Sequence, residues 1–283
     1  MVIAGLILCA IGGAAMAGWL GPLADYTYPI VWWGLLLIVD EWNARSGRSL
    51  WRGRLRHFLL ITLPISVLFW LLFELLNLAS PQWRYRGDIT GVTAQVLFGF
   101  VAFATVIPIM VEAIWICMGP FCLPAAVARV LEQWKPACTA IAIVLLAVPA
   151  FNPVFWFNQG MWFAPALLLL PWLREPRCAS PGPFLGGIVA GGLLAGFFWE
   201  LINFGARTHW EYLILPHIAH LFRMPLPGYL GFIPFGVSAI AVHEAQAHIK
   251  ARVTTAALLY LAAFGGLYAL TVVYIQRSLW MGI

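Results

Sequence analysis

Two Glu-Asn pairs lie inside long apolar stretches of the sequence. Glu74 precedes Asn77 by three positions, and Glu200 precedes Asn203 by the same spacing. Residues three apart share a face of an α-helix, so each pair would present a carboxyl and an amide to one partner. Glu74 and Glu200 are therefore candidate catalytic residues, because a carboxyl that burial keeps protonated can act as a general acid. Interhelical hydrogen bonding between the halves of the protein is the structural alternative.

The same short motif follows each pair. Trp83-Arg84-Tyr85 follows the first and Trp210-Glu211-Tyr212 follows the second. Aromatic side chains at helix ends are typical of interfacial belts, and the alternative is an aromatic-walled pocket that holds an isoprenoid or acyl chain or stabilises a cation. Arginines in these loops are candidates for an anionic headgroup. The predicted ligand-binding residues are Asn77, Asn203, Trp83, Tyr85, Trp210, Tyr212, Arg84 and Arg207.

The histidines and cysteines do not predict a metal centre. His243 and His248 are five positions apart, which is about 140° around a helix, so they do not converge as the histidines of an HExxH motif do. The cysteines form no CxxC pair. We expect no metal ligands, and the residues identify no cofactor.

Composition restricts the class of protein. Of 283 residues, 63% are apolar and 10% are charged, and the mean hydropathy is +0.89. A soluble domain carries about 25% charged residues, so this chain cannot cover a water-facing surface. A secreted disulfide scaffold, a nucleic-acid-binding domain and a disordered chain are excluded in the same way. The sequence predicts an all-α, polytopic integral membrane bundle whose immediate partners are membrane lipids.

Apolar runs between charged or Pro/Gly-rich breaks predict about nine transmembrane helices. They cover residues 2–20, 27–41, 58–79, 91–118, 137–152, 160–173, 184–206, 228–248 and 254–275. With nine spans, eleven Lys and Arg residues fall in the loops of one side and five in the loops of the other. The positive-inside rule makes the first side cytoplasmic. We expect a multi-pass protein of the inner (plasma) membrane of a bacterium, with its N-terminus in the cytoplasm.

The chain also repeats itself. Beyond the two ExxN and WxY motifs, Gly99, Phe103 and Glu112 match residues 231, 235 and 244 at one constant offset. We predict a parallel duplication in which residues 1–130 and 137–252 are four-helix repeats and residues 253–283 form an additional C-terminal helix. An even number of spans per repeat gives a pseudo-twofold axis along the membrane normal. Glu112 and its counterpart are expected to be solvated near the cytoplasmic interface, and a proton route is the alternative.

These patterns favour one function and leave two alternatives. The favoured function is binding of an amphiphile (a lipid, quinone or isoprenoid) in an aromatic-lined site near the outer leaflet, with acid–base chemistry by the two glutamates left open. The first alternative is a non-catalytic membrane subunit that packs against a protein partner in a respiratory, photosynthetic or secretory complex. The second is a secondary transporter whose parallel halves alternate access.

Overall fold

The computed structural model describes residues 1–119, 122–152, 158–173, 177–178 and 182–281 of the chain. It is 75% helical, so the predicted all-α bundle is confirmed. The helices are α1 (Val2–Met16), α2 (Thr27–Ala44), α3 (Leu55–His57), α4 (Leu63–Ala79), α5 (Val92–Phe103), α6 (Val106–Met118), α7 (Ala125–Gln133), α8 (Lys135–Phe151), α9 (Ala164–Leu169), α10 (Gly182–Gly205), α11 (Phe232–Gln246) and α12 (Val253–Gln276).

Six helical segments of the described chain are long and apolar enough to cross a membrane. They are Gly21–Ala44, Leu55–Ala79, Val92–Met118, Phe184–Gly205, Leu226–Gln246 and Val253–Gln276. A seventh is obtained if α7 and α8, bent by 83° at the break between them, form one span. The chain therefore has the helices of a multi-pass membrane protein.

The predicted number of nine spans is not confirmed. Helix α1 has 15 residues, which at 1.5 Å per residue gives about 22 Å of rise, less than the hydrocarbon thickness of about 30 Å. The segment predicted at 160–173 is divided into a 3-10 turn, the six-residue helix α9 and a second 3-10 turn. Pro165 and Pro171 lie in it, and proline interrupts the hydrogen bonding of a continuous helix.

Close packing of α10 against α6 depends on glycine. A Cβ atom built on Gly191 would lie 2.6 Å from the Cα atom of Ile114. No side chain fits at that distance, so the two backbones approach each other only because Gly191 has none. The α10 helix carries Glu200 and Asn203, and this contact fixes its place in the bundle.

Short strands connect the helix ends. They are β1 (Trp83–Arg86), β2 (Leu123–Pro124), β3 (Arg177–Cys178), β4 (His209–Tyr212), β5 (His220–Leu221), β6 (Met224–Pro225) and β7 (Trp280–Met281). Strands β4, β1 and β7 form one sheet in that order. The β1–β4 pair is antiparallel and the β1–β7 pair is parallel. This sheet joins the loops that follow α4 and α10 to the C-terminal end of α12.

The prediction that Glu112 is solvated is wrong. Its side chain on α6 has no exposed surface, and its carboxylate accepts a hydrogen bond from the amide of Asn43 on α2. Asp40, also buried, lies beside it and accepts a bond of 2.7 Å from the hydroxyl of Ser49. The sequence did not predict this burial, because it does not show that the polar residues of α2 pack against α6.

Candidate functional site

Glu74 lies in the last turns of α4, fully buried among aromatic donors. The indole N–H of Trp70 donates to Oε1 over 2.6 Å, and that of Trp83 donates to the same atom over 3.3 Å. The hydroxyl of Tyr85 also donates to Oε1, and the hydroxyl of Tyr274 on α12 donates to Oε2. One carboxyl therefore holds side chains from α4, β1 and α12.

Asn77, one turn further along α4, fixes the start of β1. Its Oδ1 accepts the backbone N–H groups of Gln82 and Trp83 over 2.7 and 3.1 Å. Its Nδ2 donates to the carbonyl of Trp83 over 2.9 Å and to the hydroxyl of Tyr274 over 2.9 Å. The amide positions the Trp83 ring by bonding to its backbone. Glu74 and Asn77, three residues apart, therefore hold the same tryptophan.

The second motif makes the matching contacts. Tyr212 donates its hydroxyl to Glu200 over 2.7 Å. Asn203 accepts the backbone N–H of Trp210 over 2.9 Å and donates to its carbonyl over 3.1 Å. Glu200 and Asn203 have no exposed surface. In both motifs, the tyrosine bonds to the glutamate and the asparagine bonds to the backbone of the tryptophan.

The strand register brings the two motifs together. In the β1–β4 pair, Trp83 lies opposite Tyr212 and Tyr85 lies opposite Trp210. Exchanging the motifs reproduces the same pairs, so the two strands are related by a local twofold arrangement. Four of the predicted site residues thus lie side by side in one small sheet.

A cavity with about 680 Å³ of empty space opens beside this sheet. Tyr85 and Tyr212 line it, together with five tryptophans. The tryptophans are Trp70, Trp83, Trp162, Trp199 and Trp210. Among the described residues that line it there is no Asp, Glu, Lys or Arg, and the side-chain amides belong to Gln82 and Gln159. The cavity therefore has aromatic walls, with both glutamates behind them.

A second, smaller cavity shares part of this wall. Trp70, Tyr85, Trp199 and Trp210 border both cavities. Burial lowers the pKa of His209, which lines the smaller one. The two cavities therefore share aromatic residues from both motifs.

Arg84 and Arg207 lie elsewhere and are engaged in ion pairs. Arg84 alternates along β1 with the two aromatic residues, so it points to the opposite face of the sheet, where its Nη2 lies 3.0 Å from Glu211. Arg207 pairs with Asp88 and lies 3.9 Å from Asp25. Neither arginine is among the described residues that line the larger cavity.

Glu211 is the centre of a partly buried ion-pair network. Arg86 contacts the same carboxylate over 2.8 Å. Burial acts to raise the pKa of Glu211, but Arg86 and Arg84 together outweigh it and hold that pKa below its ordinary value. The network strengthens the β1–β4 pair on the face opposite to the aromatic rings.

Sequence reasoning missed Trp70, Trp162, Trp199 and Tyr274. Trp70 had a usable signal, because it lies four residues before Glu74 and shares its helix face. Trp199 directly precedes Glu200, but adjacent helical positions do not share a face, so its place in the cavity wall follows from packing. Tyr274 carried no signal, since it comes from α12, which the repeat does not include.

Within the part of the chain that the structure describes, no group of three or more His, Cys, Asp or Glu residues is placed to hold a metal ion. Comparison with known proteins gives no further guide. No protein-family model matches the chain, and no curated protein or solved structure is significantly similar to it.

Proposed function

We propose that this protein binds an amphiphile, of the lipid, quinone or isoprenoid classes, in the aromatic cavity near the outer leaflet. The observation that carries the proposal is the lining of the cavity, which is formed mainly by five tryptophans and two tyrosines. Ligand pockets are lined mainly by apolar and aromatic groups with a few polar ones. Gln82 and Gln159 are the polar groups here.

The position of the cavity supports an amphiphile over a water-soluble ligand. It lies beside strands that directly follow the ends of α4 and α10. The ends of membrane helices lie at the interface between hydrocarbon and water, where aromatic side chains are enriched. A chain in this cavity would extend towards lipid while its headgroup meets the loops.

The glutamates support the binding site by holding its walls. Each is buried and accepts hydrogen bonds from wall residues, and ordered second-layer bonds of this kind keep a binding site in one geometry. Acid–base chemistry by Glu74 and Glu200 is the finer alternative. It would require a proton on a carboxyl whose neighbours already direct their own protons towards it.

Native mass spectrometry of the protein purified with its lipids tests the proposal. Gly231 lines the cavity, and a Cβ atom there would meet Trp162 at an ordinary contact distance of 3.8 Å. Gly231→Leu should fill the space without moving the backbone and abolish a co-purified adduct that wild type retains. Gly186→Leu is the matched control, because a Cβ atom at that position meets nothing within 4 Å.

Two results would contradict amphiphile binding in the cavity. The first is an adduct that survives Gly231→Leu as well as it survives Gly186→Leu. The second is wild-type protein without any adduct, which would favour the non-catalytic subunit instead, and co-purification of a second protein would then support that alternative.

Secondary transport is a second candidate, favoured by one specific observation. Buried carboxyls lie near both ends of the bundle, Glu74 and Glu200 beside the β1–β4 sheet and Glu112 with Asp40 on the side of the loop after α2. Charged residues inside a membrane bundle commonly mark ion or proton pathways. Proton uptake by proteoliposomes that is lost in Glu112→Gln but kept in Glu132→Gln would support this candidate, and uptake equal in both variants would exclude it.

A further inference from the structure

Hydrogen-bond donors surround the carboxyl of Glu74. Trp70 and Trp83 present indole N–H groups, which donate and cannot accept. The hydroxyl of Tyr274 receives a hydrogen bond from Asn77, so its own hydrogen is free to point at Glu74. Hydrogen bonds donated to a carboxyl stabilise its ionised form. The arrangement therefore suits an ionised carboxylate.

A hydrogen-bond donor also contacts the carboxyl of Glu200. The indole N–H of Trp210 donates to the hydroxyl of Tyr212 over 3.0 Å, and that hydroxyl donates to Glu200. Burial raises the pKa of Tyr212 well above its ordinary value, so the hydroxyl keeps its hydrogen at neutral pH. The same holds for Tyr85 beside Glu74. Both sites deliver hydrogens to a carboxylate.

The described residues provide neither carboxylate with an ion-pair partner. Arg223 is close enough to act on the charge of Glu200, but its guanidinium donates to the backbone carbonyls of Asn203 and Phe204 over 3.4 and 3.3 Å. Buried charges without a counter-ion are strongly destabilising. When they are ionised, the two carboxylates behind the cavity wall have no described cation in direct contact.

The cavity wall itself attracts cations. The faces of aromatic rings carry negative electrostatic potential, and the attraction of a cation to a tryptophan face is strongest when water is excluded. A primary ammonium would need up to three hydrogen-bond acceptors, and the lining offers few beyond Gln82 and Gln159. A quaternary ammonium needs none, so it matches an aromatic lining better.

We propose that the occupant of the aromatic cavity is a cationic amphiphile whose headgroup is a quaternary ammonium. This inference rests on the proposed function and names the ligand class within it. The positive charge would lie against the tryptophan faces, where it would offset the carboxylates of Glu74 and Glu200.

Two probes that differ in one charge test this selectivity. Dodecanoylcholine carries a trimethylammonium group, and 3,3-dimethylbutyl dodecanoate has carbon in place of that nitrogen, with the same chain and nearly the same shape. Binding to the delipidated protein in maltoside micelles would be followed by tryptophan fluorescence and expressed per mole of micellar detergent. Gly231→Leu measures the background. We expect the cationic probe to bind about tenfold more tightly, in line with a desolvated cation–π contact.

Variants of buried carboxyls locate the source of the selectivity. Glu200→Gln should weaken binding of the cationic probe several-fold more than it weakens binding of the neutral probe. Glu112→Gln is the matched control, because it also removes a fully buried carboxyl but at a site away from the cavity lining. It should change neither affinity. The comparison of the two probes on wild-type protein needs no variant, so it holds even where a variant fails to fold.

The outcomes separate the two proposals. Equal affinity for both probes, or tighter binding of the neutral one, overturns the cationic ligand while leaving amphiphile binding in place. If neither probe binds above the Gly231→Leu background and wild-type protein carries no adduct, the proposed function itself fails.

Discussion

The acid and the amide of each motif have different structural tasks. Asn77 and Asn203 bond to the backbone of the following tryptophan, so they determine where the strand begins. Glu74 and Glu200 accept hydrogen bonds from side chains, so they determine which way the rings point. The spacing of three residues predicted a shared helix face, but it did not reveal that the shared partner is the chain segment that follows directly.

Tyr85→Phe and Tyr212→Phe should each destabilise the protein. Each removes a hydroxyl that donates to a buried carboxylate, and leaving such an acceptor short of a donor costs about 1–3 kcal/mol. We expect a decrease of this size in the free energy of unfolding, measured by titration with a denaturing detergent. Tyr268→Phe is the control, because that residue is 59% exposed on α12. A Tyr212 variant as stable as the Tyr268 variant would show that the bond to Glu200 contributes nothing.

At the scale of elements, composition predicted the helical content of the bundle better than the number and limits of its membrane spans. Long apolar runs gave α4, α10 and α12 nearly their full lengths. The shorter run 160–173 does not form a continuous helix, because prolines interrupt it. Apolar character alone does not distinguish a membrane span from a short buried segment. The sheet of β1, β4 and β7 was not predicted, because pairing of strands more than 100 residues apart leaves no local pattern.

Gly191→Ala should weaken the contact between α10 and α6. The added methyl group would lie 2.6 Å from backbone of Ile114, and overpacking of this kind costs about 1–3 kcal/mol. Gly186→Ala on the same helix makes no new contact within 4 Å. The difference in the free energy of unfolding between the two variants isolates the effect of packing from that of helix propensity. Equal stability would mean that the helices separate without cost.

The ion pairs of Glu211 give the sheet a pH-dependent stability. Because the folded pKa of Glu211 is lowered, its contribution is present above the unfolded pKa, about 4.3, and is lost as pH falls through the lowered folded value. Glu211→Gln should therefore lower the free energy of unfolding by about 0.5–1 kcal/mol at pH 7. The decrease should be much smaller at a pH below the lowered folded pKa of Glu211. Thermal unfolding of both proteins at a series of pH values measures this. A difference that is independent of pH would contradict the role of the charge.

For the whole molecule, the predicted duplication stays a prediction with local support. The two motifs make matching contacts, and the β1–β4 register is unchanged when they are exchanged. Helix α12 departs from that symmetry, since its Tyr274 bonds to Glu74 and has no described counterpart at Glu200. A symmetric frame with one added helix would make the two glutamates chemically unequal, so substitutions at Glu74 and Glu200 need not have equal effects.

Orientation in the membrane decides which leaflet supplies the ligand. Five arginines lie between positions 45 and 56, and by the positive-inside rule we predict that this loop is cytoplasmic. The β1–β4 sheet and its cavity then face the outer side. Epitope tags inserted after Ser46 and after His217, both exposed in loops, report the two sides. In intact spheroplasts an antibody should detect only the tag after His217, and permeabilisation should reveal the tag after Ser46. The reverse pattern would place the cavity at the inner leaflet, and its amphiphile would then be drawn from the cytoplasmic side.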